Sequence, residues 1–327
     1  MSTPDTGKSH VLKRVLFAGG GTGGHVFMSV ALAEELRRKA PAVEVLFVGT
    51  KRGLEARVVE PLGFRLETIE VAALNQVGFR KMISSLVGIP FAILNGGLIV
   101  REFRPNIIVG VGGYSSGPVV LAGKLMGYRA ILIEPNAYPG LTNRLLRRWV
   151  DAAAVAFSEA ARPFGKKARV TGIPVRDQFH WVKPRPVTAA NGPLSVLVMG
   201  GSQGSKPINR LICDALPFLP AGKIQLVHQT GPADLQPVAE RYRQQGYQGQ
   251  VTDFIQNVPE LFSRVDLVVS RAGASTVAEL TAAGKPAVLI PFPQAADDHQ
   301  RKNAQALAKR GAAVVLEQDQ TSGRELA

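Results

Sequence analysis

Residues 11–25 read Val-Leu-Lys-Arg-Val-Leu-Phe-Ala-Gly-Gly-Gly-Thr-Gly-Gly-His. The stretch Val11–Ala18 ends in consecutive apolar residues, which marks a strand buried on both faces. Six residues, five of them glycine, break it at 19–24, and Val26–Lys39 then shows an apolar face and a basic end, the marks of a helix. Strand, Gly-rich turn and helix in that order open a βαβ unit. The rhythm continues outward. Val43–Val48, Ile107–Val111 and Ala130–Ile133 are further predicted strands, with a short one ending at Val170–Thr171.

The pattern then restarts. Leu194–Met199 is a second buried run, and Gly200-Gly201-Ser202-Gln203-Gly204 breaks it as the first was broken. Strands are predicted at Ile224–Val227, Gln250–Thr252, Leu267–Val269 and Ala287–Ile290. Helices are predicted near Ile208–Leu216, Ala233–Gln245, Ser275–Ala283 and His299–Arg310. Trp181–Pro193, with three prolines and a glycine, reads as a linker. The expected fold class is α/β: two doubly wound, Rossmann-like domains, residues 1–180 and 194–327, joined by 181–193 and facing each other across a cleft. Ligands of such sheets bind outside the carboxyl ends of the strands, so both glycine turns are expected to line that cleft.

Composition agrees and excludes much. The chain has 327 residues, 46% hydrophobic and 20% charged, which fits two folded domains and rules out a disordered or fibrous chain. Cys213 is the sole cysteine, which excludes an intrachain disulfide and a Cys-based zinc site and fits a reducing compartment. Met1–His10 is polar and lacks a signal-peptide core. Residues 82–100 are uncharged but hold three glycines, a proline, two serines and an asparagine, too polar for a spanning helix. The net charge of +14 is uneven: +11 falls in residues 1–180 and +3 in 181–327. An acidic partner of the first half is expected, whether nucleic acid, an anionic membrane or a phosphorylated substrate.

Several motifs carry chemistry. Gly19, Gly21 and Gly24 satisfy G-x-G-x-x-G, but the second strand ends in Phe47-Val48-Gly49-Thr50-Lys51-Arg52, without the ribose-binding acid of a dinucleotide site. Lys51 and Arg52 keep open an NADP-type cofactor. The simpler reading is a bare backbone that lets a bulky polar ligand approach the next helix start. His25 follows that loop, where the positive helix end disfavours an imidazolium and suits a neutral base. A second turn, Gly110-Val111-Gly112-Gly113-Tyr114-Ser115-Ser116-Gly117, follows another strand. Arg271-Ala272-Gly273-Ala274-Ser275-Thr276 precedes a helix whose first N–H groups suit a diphosphate, with Glu279 one turn on as an acceptor for two ribose hydroxyls or as a capping partner of Thr276. Pro291-Phe292-Pro293-Gln294, Asp297-Asp298-His299-Gln300 and Asn303 suit sugar hydroxyls. Asp297 and Asp298 lack further carboxylates for a metal.

In their order along the chain these segments, with Gly172-Ile173-Pro174-Val175-Arg176, resemble the MurG family of bacterial UDP-N-acetylglucosamine transferases, over roughly residues 12–318. The resemblance implies a glycosyltransferase B fold and an inverting transfer of N-acetylglucosamine from UDP to the C4 hydroxyl of N-acetylmuramic acid. The acceptor is undecaprenyl-pyrophosphoryl-MurNAc-pentapeptide (lipid I), and the product, lipid II, serves peptidoglycan synthesis. It implies His25 as base and Asn136 beside donor sugar and acceptor. It also implies Thr22, Gly23 and Gly24 in a donor-binding loop, Ser202 and Arg176 near the diphosphate, and Ile255 reading uracil through its backbone. Ala274, Ser275 and Thr276 match the helix start at the diphosphate and sugar, Glu279 the ribose acceptor, and Gln300 an amide on the sugar hydroxyls. No metal and no cofactor is implied.

A peripheral place on the cytoplasmic face of the bacterial membrane is expected. Phe79, Arg80, Lys81, Met82, Ile83 and Leu86 form an apolar patch with a basic rim suited to an anionic leaflet. Two departures from the family lie beside the expected site: Met28-Ser29 in place of Pro-Gly, and Ile133-Glu134-Pro135-Asn136 in place of His-Glu-Gln-Asn. Family members also usually run well past Gln318, so the second domain is expected to end short. The competing readings are a UDP-N-acetylglucosamine epimerase of the same fold, an NADP-dependent oxidoreductase, and a basic membrane- or RNA-binding module. No aromatic platform accompanies the basic residues, so no nucleic-acid partner is expected.

Overall fold

The computed structural model describes residues 12–20, 23–50, 55–70, 79–113, 115–182, 192–201 and 203–327. The chain forms two compact units, one from Met1–Glu134 and Pro139–Pro174, the other from Pro135–Tyr138 and Val175–Ala327. The first holds strands β1 (Arg14–Ala18), β2 (Glu44–Thr50), β3 (Arg65–Ile69), β4 (Ile107–Gly110), β5 (Arg129–Glu134), β6 (Ala152–Val155) and β7 (Ala168–Val170). Its helices are α1 (Gly23–Lys39), α2 (Glu55–Val58), α3 (Phe79–Phe103), α4 (Ser116–Leu125) and α5 (Leu141–Leu146). The sheet order is β3-β2-β1-β4-β5-β6-β7, parallel throughout.

The period-2 alternation of β1 explains why its sequence is continuously apolar. Val15 and Phe17 pack with Val26, Met28 and Ala33 of α1 on one face. Leu16 and Ala18 pack with Val100 and Phe103 of α3 and Val119 and Val120 of α4 on the other. Each face is closed by helices, so neither set of side chains can be polar. In α3, Ala92, Val100 and Phe103 turn inward while Phe91, Leu94 and Leu98 are exposed. Gly96 lets the helix approach α4 closely, since a methyl group there would stand 3.1 Å from Val119. No helix among the described residues is long and apolar enough to cross a membrane.

The second unit holds β8 (Leu194–Met199), β9 (Ile224–Gln229), β10 (Gln250–Thr252), β11 (Leu267–Ser270), β12 (Ala287–Leu289) and β13 (Ala313–Val315). Its helices are α6 (Lys206–Ala215), α7 (Leu235–Gln244), α8 (Val258–Arg264), α9 (Ala274–Ala282), α10 (His299–Ala308) and α11 (Gly323–Leu326). The order is β10-β9-β8-β11-β12-β13, again parallel. Val196 and Val198 pack with Ile208, Leu211 and Ile212 of α6 and with Val238 and Tyr242 of α7.

Both sheets reverse direction at their first strand. The chain winds from β1 outward to β3 and then crosses back to β4; it winds from β8 to β10 and crosses back to β11. At such a switch point the loops leaving the two central strands diverge to opposite faces and open a crevice. The loops so placed are those after β1 and β4 in the first unit and after β8 and β11 in the second. All four are among the glycine-bearing turns read from the sequence.

Candidate functional site

In the first unit, the turn after β1 and the turn after β4 pack backbone against backbone. A side chain at Gly19 would meet Val111 and the Gly112 carbonyl, and one at Gly113 would overlap the Gly20 carbonyl. Gly19, Gly112 and Gly113 all have positive φ, at 146°, 89° and 81°. The glycines are therefore required first by the contact between the loops, and that contact fixes where α1 begins.

His25 lies in the first turn of α1, half-buried. A methyl group at Gly112 would stand 3.3 Å from its Nε2, so the imidazole lies directly against the second turn. The Met28-Ser29 departure is structural. Met28 is buried in the core, and Ser29 Oγ donates to the His25 carbonyl at 2.8 Å. Glu55, buried at the start of α2, lays its carboxyl group over Gly20 and Gly49. Gly23 and Gly24 open α1; Thr22 lies outside the described residues.

At the end of β5, the buried Glu134 carboxylate accepts from Gly140 N (3.0 Å) and Asn143 Nδ2 (2.8 Å). The next four residues belong to the second unit. Asn303 on α10, fully buried, accepts from Ala137 N at 2.8 Å and donates to Asn136 Oδ1 at 3.1 Å and to the Ala272 carbonyl at 3.2 Å. Lys302 Nζ sits 3.6 Å from the centre of the Tyr138 ring. Asn136 is thus held by α10.

The second unit gathers most of the other expected residues at its switch point. Helix α9 starts after Gly273 with no side-chain cap, which leaves its first N–H groups without a side-chain acceptor. Glu279 does not cap Thr276. It lies 3.7 Å from Arg176 Nη2, and burial raises its carboxyl group to about pKa 7 against the opposing pull of Arg176. Arg176 is half-exposed and stacks over Phe179 at 5.0 Å. Gln300 accepts from Phe292 N at 3.0 Å, which leaves its NH₂ as the group able to meet a hydroxyl. Ile255 follows β10 and is partly exposed; Ser202 lies outside the described residues. Asp297 and Asp298 both adopt left-handed backbone, with φ of 53° and 55°, a conformation that Asp tolerates better than most residues. Among the described residues, no three His, Cys, Asp or Glu side chains converge as metal ligands.

Sequence reading missed a partner of the Gly200–Gly204 turn. At the end of β9, Gln229 Nε2 donates to the Gly201 carbonyl at 2.9 Å. Gly231 sits against the Gln203 carbonyl, and Gly204 against that of Thr230. Behind them His228 is fully buried, its Nε2 3.0 Å from Asn209 Oδ1 and its Nδ1 3.0 Å from Tyr242 Oη. Asn209 Nδ2 donates to the Thr230 carbonyl and Asp234. The Asn209 oxygen must then accept, so His228 carries its proton on Nε2. Burial lowers its pKa to about 4, and it stays neutral. The Gly231 that follows β9 was the available signal.

Two parallel sheets with glycine turns at their switch points, one of them beside an uncapped helix start, are the frame of a nucleotide-binding α/β protein, and the family matches make this one a glycosyltransferase. The glycosyltransferase family 28 N-terminal domain matches residues 15–155, and the C-terminal domain matches 195–327. The chain is 46% identical over 318 residues to the UDP-N-acetylglucosamine–N-acetylmuramyl-(pentapeptide) pyrophosphoryl-undecaprenol N-acetylglucosamine transferase of Syntrophus aciditrophicus, covering 96% of this chain and 88% of that one. The crystal structure of Acinetobacter baumannii MurG superposes with a TM-score of 0.79 at 30% identity, covering 96% of this chain and 89% of that one. The chain belongs to the MurG family. A UDP-GlcNAc 2-epimerase from Neisseria meningitidis, bound to UDP-GlcNAc, superposes at 0.61 with 13% identity over 96% of this chain and 90% of that one, a likeness of fold alone.

Proposed function

We propose that this chain is an inverting glycosyltransferase that moves N-acetylglucosamine from UDP-N-acetylglucosamine to the C4 hydroxyl of N-acetylmuramic acid in lipid I, giving lipid II for peptidoglycan synthesis. The observation that carries the reading is the pairing of MurG family membership with an uncapped α9 start flanked by Arg176 and Glu279. Residues 1–180 take the acceptor and the membrane, and 194–327 take the donor.

In the reaction, the acceptor C4 oxygen attacks the anomeric carbon from the side opposite UDP. The bond from that carbon to the β-phosphate oxygen breaks, its electrons leave with UDP, and the hydroxyl proton passes to His25. A base and a stabilised leaving group are what such a displacement needs. The α9 N–H groups of Ala274, Ser275 and Thr276, with Arg176 and Ser202, take the diphosphate charge. Glu279 accepts the ribose hydroxyls, Ile255 offers backbone to uracil, and Gln300 donates to the sugar. Asn136 orients donor sugar and acceptor, and Thr22, Gly23 and Gly24 belong to the donor-binding loop.

The chain acts at the cytoplasmic face of the membrane as a peripheral protein. The side chains of Phe79, Arg80, Lys81, Met82, Ile83 and Leu86 lie outside the described residues, although their backbone opens α3. Further along the same helix, Phe91, Leu94 and Leu98 are more than 60% exposed, and Arg101 follows. An apolar ridge beside a cation favours an anionic leaflet.

The test is UDP release from UDP-N-acetylglucosamine in the presence of a lipid I analogue. A folded protein that releases no UDP with acceptor present defeats the reading. Loss of the base predicts a kcat about 10²- to 10⁴-fold lower in His25→Ala, with UDP binding retained.

A further inference from the structure

Arg271 is the residue of the second unit that its sequence role does not explain. It is 9% exposed, at the carboxyl end of β11. Its Nη1 donates to the Ile290 and Pro291 carbonyls at 3.1 and 3.0 Å. Its Nη2 donates to Ser205 Oγ at 2.8 Å and Gln318 Oε1 at 2.7 Å. Its guanidinium lies 5.4 Å from the centre of the Phe292 ring. The acceptors follow three other strands: Ser205 comes after β8, Ile290 and Pro291 after β12, and Gln318 after β13. One planar group therefore spans the switch point and ties it to the outer edge of the sheet.

Burying a guanidinium costs free energy that an apolar side chain of like volume would not, so packing alone gives no reason for arginine here. Its fork does what an apolar group cannot, because it fixes the angles of several acceptors at once. Ser205 sits at the N-cap of α6 and makes no side-chain cap; its hydroxyl accepts from Arg271. Phe292, under the guanidinium, is the residue whose N–H donates to Gln300. The start of α6, which follows the second glycine turn, and the loop that orients Gln300 are thus tied to the same side chain.

We propose that Arg271 is a positioning residue that holds the diphosphate turn and the sugar-reading loop in register. Donor affinity and the choice among UDP-sugars then both depend on it, although it touches no part of the ligand. This rests on the transferase reading above.

The experiment compares steady-state kinetics of wild type, Arg271→Lys, Ser205→Ala and Gln318→Ala with UDP-N-acetylglucosamine and a lipid I analogue, with thermal melting of each. Lysine keeps the charge but loses the fork. The expected results for Arg271→Lys are a donor KM raised about tenfold or more, kcat within about threefold, and an unchanged acceptor KM. The advantage over UDP-N-acetylgalactosamine should shrink. Ser205→Ala and Gln318→Ala, each losing one arm, should raise donor KM about two- to fivefold with melting close to wild type. If Arg271→Lys lowers melting temperature and active fraction but leaves donor KM unchanged, or if both single-arm variants keep the wild-type donor KM, Arg271 only stabilises the fold and the proposal is overturned. Absence of turnover in the folded wild type would instead remove the transferase reading.

Discussion

Glu279 offers a test in which stability and binding move in opposite directions. Its carboxyl group lies 3.7 Å from Arg176 Nη2 with its side chain 21% exposed, and burial raises its pKa from 4.5 to about 7. Folding then favours the protonated form. The stabilising contribution is complete below the unfolded pKa and is lost as pH rises through the folded one. Over that interval the loss amounts to about 3 kcal/mol at most. Glu279→Gln cannot ionise, so it should be more stable than wild type near roughly pH 8, with the difference closing by roughly pH 5. Donor binding should behave inversely, because the ionised carboxylate is the better acceptor for two ribose hydroxyls. With a pKa of about 7, wild-type affinity for UDP-N-acetylglucosamine should fall about tenfold between roughly pH 8 and pH 6. The sugar nucleotide is the correct probe, since its diphosphate is a diester and does not titrate there. In Glu279→Gln the profile should be flat and the affinity at the higher pH about tenfold weaker. Chemical denaturation and calorimetric titration across pH measure both effects. Parallel stability profiles for the two proteins, with no pH dependence of wild-type donor binding, would refute the reasoning.

Other perturbations test the remaining geometry. Gly112→Ala adds a methyl group 3.3 Å from His25 Nε2 at a φ of 89°; it should cost about 1–3 kcal/mol in denaturant unfolding and lower kcat more than it alters donor KM. Asn303→Leu takes the acceptor from the Ala137 N–H and the donor from Asn136, and should cost about 3 kcal/mol while reducing turnover. Phe91→Ser with Leu94→Ser should weaken binding to anionic vesicles at least about tenfold in a sedimentation assay, by removing two exposed apolar side chains worth roughly 1.5–3 kcal/mol each when buried; unchanged sedimentation would remove this face from the membrane reading.

The element most legible in the sequence was the apolar run covered on both faces: Leu194–Met199 forms a strand over the residues expected. Gln250–Thr252 and the start of α10 at His299 also fall where expected, although that strand lies at a sheet edge without a buried residue. The strands that escaped reading are partial in burial or weak in propensity. Arg65–Ile69 carries Arg, Glu and Thr among its five residues at a sheet edge, Ala152–Val155 has three alanines, and Ala313–Val315 is a three-residue edge strand. Each exists because a neighbouring strand supplies its hydrogen bonds, and local sequence does not encode a partner.

The site divides in the same way. Sequence alone determined two parallel α/β domains, since a run apolar at every position is stable only with both faces covered. It also determined which turns must lack side chains, because glycine is the residue that permits a positive φ beside another backbone. Only the tertiary structure decided what those turns touch: Gly112 against His25, Gly204 against Thr230, and Glu55 over Gly20. It alone joined Arg271 to Ser205, 66 positions away, and Asn303 to Asn136, 167 positions away. Such pairs carry no local signature, because a buried hydrogen bond depends on where two strands end in space and not on their separation along the chain.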